Sequence, residues 1–408
     1  MSKIRVAVIG GGIAGATMSH ASTKYPHLDV HIFEAAPEFK DTGAAIGLTA
    51  NARAALKLIG PSAVKCFERA GAVPQRGAEM FLAQGPDAGA SVGRMGGDNS
   101  IVSNVHRAVF VKELLADLAP DTMHASMKLQ KIEQEKGTGP VTLHFADGTT
   151  HECDVLIGAD GIHSSVRKYI LGPEDLCAAP VPSGYWFILA LRPYEEVAAL
   201  LGKTHLDSGE VAWVGDGAVI FHNVLSDGKV AQLATAVACG TDDPPDDWKK
   251  VVTAEEIRET YKNWPENLYN AVDKLICNQP TQNALYNWEH LPARTYVKGN
   301  VAIVGDAAHA TTPWQGSGAG MSIEDSLIVS TLLGHSKSPE EAKVALEVYD
   351  AARRGRTQRI VESSKNTGKM VTNRHPETGL EATTLREKLR YRWDFILDFD
   401  VAGHQKEF

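Results

Sequence analysis

The chain has 408 residues, of which 43% are hydrophobic and 22% are charged, and its formal net charge is −9. This composition is typical of a globular protein with more than one domain, and an acidic balance without a basic run disfavours a nucleic-acid partner. No apolar run approaches the roughly 20 residues that a membrane span needs, and the predicted first strand begins at once, which leaves no room for a signal peptide. We therefore expect no membrane span and a cytoplasmic protein.

The cysteines are an odd number, widely scattered, and no pair has the short spacing that marks a zinc or dithiol site. This pattern predicts free thiols in a reducing compartment and no metal site. The five positions are Cys66, Cys153, Cys177, Cys239 and Cys277.

The N-terminal segment has the pattern of a dinucleotide-binding βαβ unit. Residues 3–9 are predicted to form a buried parallel strand, and the loop Gly10-x-Gly12-x-x-Gly15 leads from it into a helix. The next strand, 28–33, ends at Glu34, about 20 residues after the loop, where a carboxylate can bind ribose hydroxyls. A glycine-rich turn with no ligand is the minority interpretation.

The sequence patterns from residue 51 to Arg107 are less regular. A helix over 51–59 ends at Gly60-Pro61, and residues 71–100, rich in glycine and alanine, indicate an irregular excursion. Arg107 begins an apparent helix, where a cation is unfavourable unless an anion lies nearby. We favour a cofactor contact for Arg107 over a solvated surface position.

The middle of the chain contains a second strand-to-helix turn, followed by a mostly antiparallel region. Residues 155–158 predict a buried strand that ends at Asp160-Gly161, and a helix that Ser164 can cap follows. From 176 to 291, segments with alternating polarity predict antiparallel strands, interrupted by a helix over 253–264.

The chain then returns to the first domain. A strand over 300–304 delivers Asp306, and the glycine-rich run Gly318-Ala319-Gly320-Met321 begins the next helix, whose amides suit an electron-rich ligand. Amphipathic helices are predicted around 339–365 and 384–399. His163 and His309 are interpreted as structural histidines, and Glu324-Asp325 as carboxylates that complement the helix dipole.

In order and spacing, these motifs resemble the single-component FAD-dependent aromatic hydroxylases, the group that includes para-hydroxybenzoate hydroxylase, and within it the salicylate-hydroxylase-like and fungal secondary-metabolite monooxygenases. The resemblance covers essentially the whole chain. Besides the three motifs it includes Gly43–Leu48, His106-Arg107 and a tail from Trp393 to Asp400.

The resemblance implies FAD as cofactor, NAD(P)H as a transient co-substrate and O2 as oxidant. Oxygen would then be transferred from a flavin C4a-hydroperoxide to a small, mostly apolar aromatic, polycyclic or alkene substrate. The implied FAD contacts are Gly10, Gly12, Ala14 and Gly15 of the loop, Glu34 at the ribose, Gly47 beside the flavin, Arg107 at the phosphates, Asp160 and Asp306, and Gly318, Ala319, Gly320 and Met321 at the flavin edge. Bulk at Gly320 is accordingly expected to hinder the flavin.

The chain departs from the family pattern at the substrate site. The usual histidine and tyrosine positions on one strand hold Val219 and Asn223, while Arg192 matches an arginine that related fungal enzymes use in catalysis. Strand alternation places His222 on the face opposite Asn223. Arg192, Asn223 and His222 are the candidate catalytic residues; we expect Arg192 to bind a substrate anion, and we interpret His222 as a half-exposed strand histidine.

The sequence thus predicts an α/β protein with three parts. A Rossmann-like FAD-binding domain comprises 1–70, 101–175 and 292–335, and a mostly antiparallel substrate domain comprises 71–100 and 176–291. Residues 336–408 form a C-terminal helical region. A monomer or homodimer with monooxygenase activity is expected; a flavoprotein oxidase or reductase and a silent flavin-binding protein are the alternatives.

Overall fold

The computed structural model describes residues 3–39, 45–96, 101–135, 139–207, 209–225, 229–241, 249–278 and 283–408. Gly43 and Ala44, part of the Gly43–Leu48 motif, lie outside the described residues. Within these ranges the strands are, in chain order, β1 (Ile4–Ile9), β2 (Leu28–Phe33), β3 (Ala45–Leu48), β4 (Val73–Arg76), β5 (Glu79–Leu82), β6 (Ser91–Arg94), β7 (Ile101–His106), β8 (Met123–His124), β9 (Leu129–Gln134), β10 (Val141–Phe145), β11 (Thr150–Cys153), β12 (Val155–Gly158), β13 (Val181–Pro193), β14 (Val211–Val214), β15 (Ala218–Leu225), β16 (Val230–Ala238), β17 (Lys249–Val251), β18 (Asn283–Glu289), β19 (Val297–Lys298) and β20 (Val301–Ile303).

The α-helices of the same ranges are α1 (Ile13–Ser22), α2 (Ala50–Ile59), α3 (Pro61–Arg69), α4 (Arg107–Leu115), α5 (Ser165–Leu171), α6 (Tyr194–Leu201), α7 (Lys203–Asp207), α8 (Ala254–Tyr261), α9 (Glu266–Val272), α10 (Asp306–His309), α11 (Gly318–His335), α12 (Pro339–Val371), α13 (Ala382–Leu389), α14 (Asp394–Leu397) and α15 (Val401–Glu407).

A six-stranded sheet in the order β19-β20-β12-β1-β2-β8 forms the centre of the first part of the molecule. Its strands are parallel except for the β19–β20 pair. β1 and β12 are almost entirely buried and apolar, as expected for inner strands of a parallel sheet. Because the strands are parallel, the segments that follow β1, β2, β12 and β20 all leave from one edge of the sheet, where ligands bind in such folds.

A second, eight-stranded sheet has the order β17-β18-β13-β16-β15-β14-β5-β6 and is antiparallel apart from the β14–β5 pair. The predicted antiparallel strands are therefore present. The prediction of an irregular excursion over 71–100 is wrong for much of its length, because β5 and β6 extend this sheet and β4 pairs with β7. These strands have only four residues each and lie beside glycines, so the alternation of polar and apolar residues was too short to indicate strands.

Two three-stranded sheets complete the β structure of the described residues, with the orders β11-β10-β9 and β3-β7-β4. In the second, Gly47 of β3 lies opposite Asn104 of β7. β7 is followed directly by α4, which begins at Arg107, and β4 is followed by β5 of the large sheet. Gly47, which the family resemblance places beside the flavin, therefore lies next to β7, a strand that carries polar side chains.

The C-terminal region is helical, and α12 is a single helix of 33 residues. The predicted helix over 384–399 is instead divided into α13 and α14, and α15 begins only at Val401. The break allows Arg392 to donate from Nε to Thr367 Oγ1 of α12 at 2.9 Å, while Trp393 is buried. Asp400 then caps α15 by accepting a hydrogen bond from the Gly403 amide at 2.9 Å.

Candidate active site

The first glycine loop contains two glycines that packing requires and one that faces open space. An added Cβ on Gly10, whose φ is +106°, would lie 2.3 Å from the carbonyl oxygen of Ala159. A Cβ on Gly15 would lie 1.9 Å from the carbonyl oxygen of Gly10. At Gly12 the nearest atom is Nη2 of Arg107, 3.9 Å away. The loop is therefore closely packed behind and open in front of Gly12, beside a guanidinium group.

Glu34 lies against this loop. Its Oε2 accepts a hydrogen bond from the Gly11 amide at 2.6 Å, and its Oε1 accepts one from the Ala36 amide at 2.8 Å. The side chain is held at the end of β2 and remains partly exposed. The fold thus brings Glu34, Arg107 and the glycine loop together, although they are far apart in the sequence.

The second glycine segment packs directly on the first. Gly305 has φ +59°, and an added Cβ would lie 2.6 Å from the Cβ of Ala14 and 2.9 Å from Oγ of Ser322. Ser326 donates to the Ala14 carbonyl at 3.3 Å. Only glycine allows this approach of α11 to the start of α1. Asp306, the first residue of α10, is exposed at the same edge of the sheet.

The N-terminus of α11 offers backbone donors, but not from every residue predicted. Gly318, Ala319 and Gly320 occupy the first three helical positions, whose N–H groups have no partner inside the helix. The Ser317 side chain does not cap them. The Met321 amide, in contrast, donates to the Ser317 carbonyl at 2.9 Å, and the Met321 side chain is buried. The predicted cofactor contact of Met321 is therefore corrected: neither its amide nor its side chain is available.

At Gly320 and Gly47, an added Cβ would point towards other protein side chains. A Cβ on Gly320 would lie 3.3 Å from the Cβ of Ala52, so bulk there would press on α2. The expectation that bulk at Gly320 acts by hindering the flavin is not supported by this placement. A Cβ on Gly47 would lie 2.6 Å from Cγ1 of Val102. Gly47 nevertheless lines the large cavity described below.

Asp160 has a different role from the one predicted. Its carboxylate accepts hydrogen bonds from the Ser164 hydroxyl at 2.5 Å, the Ser165 amide at 2.7 Å and the Val166 amide at 3.2 Å. These bonds cap α5. A Cβ on Gly10 would lie 3.1 Å from Cα of Asp160, so the residue adjoins the glycine loop, but its carboxylate is already committed to the helix. The predicted contact of the Asp160 side chain with FAD is therefore corrected: a contact here would have to come from the backbone of Asp160.

A buried charge cluster lies behind α11. Asp325 accepts from His309 at 2.5 Å and from Arg353 at 2.8 Å, and Glu324 accepts from Arg353 at 2.7 Å and from Arg356 at 3.0 Å. Burial raises the pKa of Asp325, but the charges of His309 and Arg353 outweigh it and lower that pKa to about 2. The structural interpretation of His309 is confirmed. The interpretation of Glu324-Asp325 as simple partners of the helix dipole missed the cluster, because its two arginines come from α12, far along the chain.

A cavity of about 730 Å³ opens between the large sheet and the segment just before α11, which includes Pro313 and Gly316. This volume is within the range of small-molecule and cofactor sites. Its walls come from both halves of the molecule and are formed by Gly47, Thr49, Ala50, Arg53, Gly77, Ala78, Met95, Gly96, Ile101, Val102, Asn104, Glu210, Phe221, Asn223, Gln232, Pro313, Gln315, Gly316, Trp393, Asp394, Leu397 and Asp398.

The sheet side of this cavity carries a polar group that the sequence did not indicate. Glu210 Oε1 accepts hydrogen bonds from the side-chain amides of Asn104 at 2.7 Å and Asn223 at 3.4 Å. Burial raises the pKa of Glu210, although these hydrogen bonds lower it in part. Glu210 stands just before β14, and a single carboxylate before a strand has no recognisable motif. Its importance becomes visible only when β7 and β15 are placed beside it.

The other two candidate catalytic residues lie on the opposite face of the sheet. His222 pairs with Leu233 and Arg192 with Ala231, and both partners belong to the apolar core on that face. His222 is completely buried and accepts from Nε1 of Trp213 at 3.2 Å. Burial lowers the pKa of His222 to about 4. The expectation of a half-exposed histidine is therefore wrong.

Arg192 donates to the carbonyl oxygen of Leu275 at 2.9 Å and does not line the cavity. The expectation that Arg192 binds a substrate anion is not supported by this placement, because a strand side chain cannot reach the other face of its own sheet. Asn223, on the cavity face, is the predicted catalytic candidate that the structure places in the site.

One group among the described residues has the composition of a metal site: His20, Cys66 and Asp117. Both ring nitrogens of His20 are already bonded, to the Leu114 carbonyl at 3.2 Å and to the Ser62 hydroxyl at 3.0 Å. Burial raises the pKa of the Cys66 thiol to about 11, so the thiolate that a metal requires is disfavoured. We assign this group to the core. The five cysteines form no disulfide.

Among the described helices, none is both long enough and apolar enough to cross a membrane.

Comparisons with known proteins agree with this geometry. Residues 3–364 match the family described as FAD binding domain. The 6-methylsalicylate 1-monooxygenase of Aspergillus terreus (strain NIH 2624 / FGSC A1156) is 34% identical, with 100% of this chain and 92% of that protein covered. A salicylate hydroxylase of Pseudomonas putida is 31% identical, covering 98% of this chain and 93% of that protein.

Among solved structures, a salicylate hydroxylase substrate complex has a TM-score of 0.87 and 26% identity, covering 99% of this chain and 98% of that one. A structure of a variant of HpxO from Klebsiella pneumoniae, complexed with FAD, has a TM-score of 0.76 at 21% identity over 98% of this chain and 100% of that one, which shows a shared fold. With a family match over most of the chain and relatives above 30% identity over nearly all of it, the chain belongs to the FAD binding domain family and is an FAD-dependent monooxygenase.

Proposed function

We propose that this monooxygenase hydroxylates a small phenolic acid of the salicylate type within the 730 Å³ cavity. The observation that carries the proposal is the composition of the cavity wall: residues just before the N-terminus of α11, such as Gly316, face one side, and the Glu210–Asn223 pair faces the other. An aromatic ring held between them has the cofactor loops on one side and a polar group on the other. The names of the relatives support an aromatic acid as substrate.

The residues present fit FAD. The open space before Gly12 and the uncapped amides of Gly318 to Gly320 form a cradle with positive potential, which suits phosphates and an electron-rich ring. Glu34 would bind the adenosine ribose, Arg107 the phosphates, and Asp306 the ribityl and pyrophosphate portion. When bound and reduced by NAD(P)H, FAD supplies the activation of O2 for transfer to the substrate.

Glu210 is the residue of this chain that acts on the substrate hydroxyl. A carboxylate with a raised pKa is a better base than an ordinary one, and hydrogen bonding to a phenol increases the electron density of its ring. Asn104 and Asn223 orient Glu210 by donating to its Oε1. Glu210 takes the place, in function, of the histidine and tyrosine that the family pattern led us to seek on β15.

The protein works in the cytoplasm as a monomer or homodimer in this proposal. NAD(P)H is supplied in that compartment, and the five free cysteines are compatible with reducing conditions. Fractionation of the native cell and light scattering of the purified holoenzyme test these two statements.

The function is tested with purified holoenzyme, NADH or NADPH, and 18O-labelled dioxygen, using salicylate and 6-methylsalicylate as substrates. We expect substrate-dependent NAD(P)H consumption and a product that carries one labelled oxygen. Hydrogen peroxide equal to the NAD(P)H consumed, with no labelled product from either acid, would show an oxidase. An absence of NAD(P)H consumption would show a silent flavin-binding protein.

A further inference from the structure

Arg53 is the one cationic side chain among the described residues that line the cavity. It lies in the first turn of α2, and its Nη2 donates to the carbonyl oxygen of Ile101 at 3.2 Å. Its Nε is buried and has no hydrogen-bond partner among the described residues. No described carboxylate lies within ion-pair distance of this guanidinium group. Arg53 as a whole is half-buried, and a charged group with a buried donor atom that lacks a partner is unfavourable, so the site favours an anion from outside the chain.

A second polar atom lacks a partner on the sheet side of the same cavity. Asn223 is 5% exposed, and its Oδ1 has no hydrogen-bond partner among the described residues, while its amide nitrogen donates to Glu210. An acceptor at this position favours a ligand hydroxyl group. The cavity therefore presents an unsatisfied cationic donor and, separately, an unsatisfied acceptor beside a carboxylate.

The spacing of these two groups suits one small aromatic molecule. The Arg53 guanidinium is bonded at Ile101 and Glu210 is bonded at Asn104, and both anchoring residues belong to β7. Three residues along a strand span about 10 Å. Once a hydrogen bond of about 3 Å at each end is subtracted, roughly 4 Å remains, which a single benzene ring with a carboxylate and a hydroxyl group can span.

We propose that Arg53 binds the substrate carboxylate and thereby selects aromatic acids over neutral phenols, while the Glu210–Asn223 pair binds the hydroxyl group. This assignment rests on the proposed function and names the residue that sets its specificity. Arginine suits the role because its planar group can donate two parallel hydrogen bonds to a carboxylate. Asp394 and Asp398 also line the cavity, but both are exposed, so water screens their repulsion of an anion.

The test compares binding of two ligands to holoenzyme variants by titration calorimetry. 6-Methylsalicylate is the acid, and 3-methylphenol is the same ring without the carboxylate. Arg53→Met should weaken binding of the acid on the order of a hundredfold and binding of 3-methylphenol less than about threefold. Arg53→Lys, which keeps the charge but loses the planar fork, should lose about tenfold for the acid.

Lys57→Met is the matched control, because Lys57 lies one turn further along α2 and is exposed. It should bind both ligands as wild type does, and all three variants should retain full FAD occupancy by absorbance. Equal weakening for the two ligands, loss of FAD from Arg53→Met, or wild-type binding of the acid no tighter than that of 3-methylphenol would overturn the assignment. If the acid binds through Arg53 but is not hydroxylated, the proposed function fails while the anion site stands.

Discussion

The predicted cofactor loops and the sheet wall of the cavity are built by different means. The cofactor side consists of backbone: glycines at 10, 15 and 305 allow three segments to meet at distances that a Cβ would forbid. The sheet side consists of side chains, with Glu210 held by Asn104 and Asn223 from two other strands. Backbone constraints are local and leave a sequence motif, whereas a side-chain cluster depends on strand order and on which face of the sheet each residue occupies.

The largest effect is expected where the backbone packing is closest. Gly15→Ala would place a Cβ 1.9 Å from a carbonyl oxygen, so it should prevent stable folding of the FAD domain, seen as loss of the cooperative thermal transition of the apoprotein. Gly12→Ala is the matched variant, because its Cβ meets nothing closer than 3.9 Å. It should leave apoprotein stability unchanged and weaken FAD binding. Equal stability loss in the two variants would contradict the division of roles within the loop.

The buried charge cluster should give the next largest effect. Arg353→Met leaves Glu324 and Asp325 without their shared cation and should lower the free energy of unfolding by about 3–5 kcal/mol. Because the pKa of Asp325 is lowered to about 2, its stabilisation is present above the ordinary pKa near 4 and is lost as the pH falls towards 2. Denaturant unfolding from pH 7 to pH 3 measures the stability lost in the variant and the pH dependence of the wild type. A wild type whose stability does not fall with acid, together with a variant as stable as the wild type, would contradict the account.

Glu210 should matter for turnover rather than for folding. Glu210→Gln should lower kcat on the order of a hundredfold with FAD still bound, the range for loss of a general base. In the wild type, kcat/KM should fall as the pH drops through the raised pKa of Glu210, and this acidic limb should be absent from the variant. Arg192→Gln is the control, because Arg192 bonds to Leu275 on the other face. A larger loss in Arg192→Gln than in Glu210→Gln would restore the arginine assignment.

The smallest effect concerns His222, on the core face of the large sheet. The pKa of His222 is lowered to about 4, so the side chain is neutral in the folded protein at neutral pH. Its contribution to folding stability is fully present above the unfolded pKa of about 6.5 and is lost as the pH falls towards 4. The loss at pH 5 is about 2 kcal/mol. His222→Gln should reduce the pH dependence of unfolding by about one proton in this range and leave kcat near wild type. An unchanged slope would show that another group is responsible.

The sequence alone predicted where the residues of the cofactor side lie, and their contacts with FAD stay a prediction; it predicted the substrate side poorly. The βαβ unit, Glu34, Arg107 and Asp306 follow from spacing, because each stands at the end of a strand or the start of a helix. The prediction fails at Met321. Its amide lies one position too far into α11 to remain unbonded, because it donates to the Ser317 carbonyl. Residue counting cannot fix which amide begins a helix.

The substrate side could not be predicted because its pattern is non-local. The alternation of β15 correctly separated His222 from Asn223, but it gave no indication that Arg192 of β13 shares the face of His222. That fact requires the register between β13 and β16. Glu210 and Arg53 carry no motif, and they became candidates only when the cavity brought α2, β7 and the large sheet together.

The most direct test of the central claim is a crystal structure of the holoenzyme with 6-methylsalicylate. The account predicts the aromatic ring in the 730 Å³ cavity, between the Gly316 segment and the Glu210–Asn223 pair, with its hydroxyl group within hydrogen-bond distance of Glu210. A ring bound on the opposite face of the sheet, beside Arg192 and His222, would contradict it.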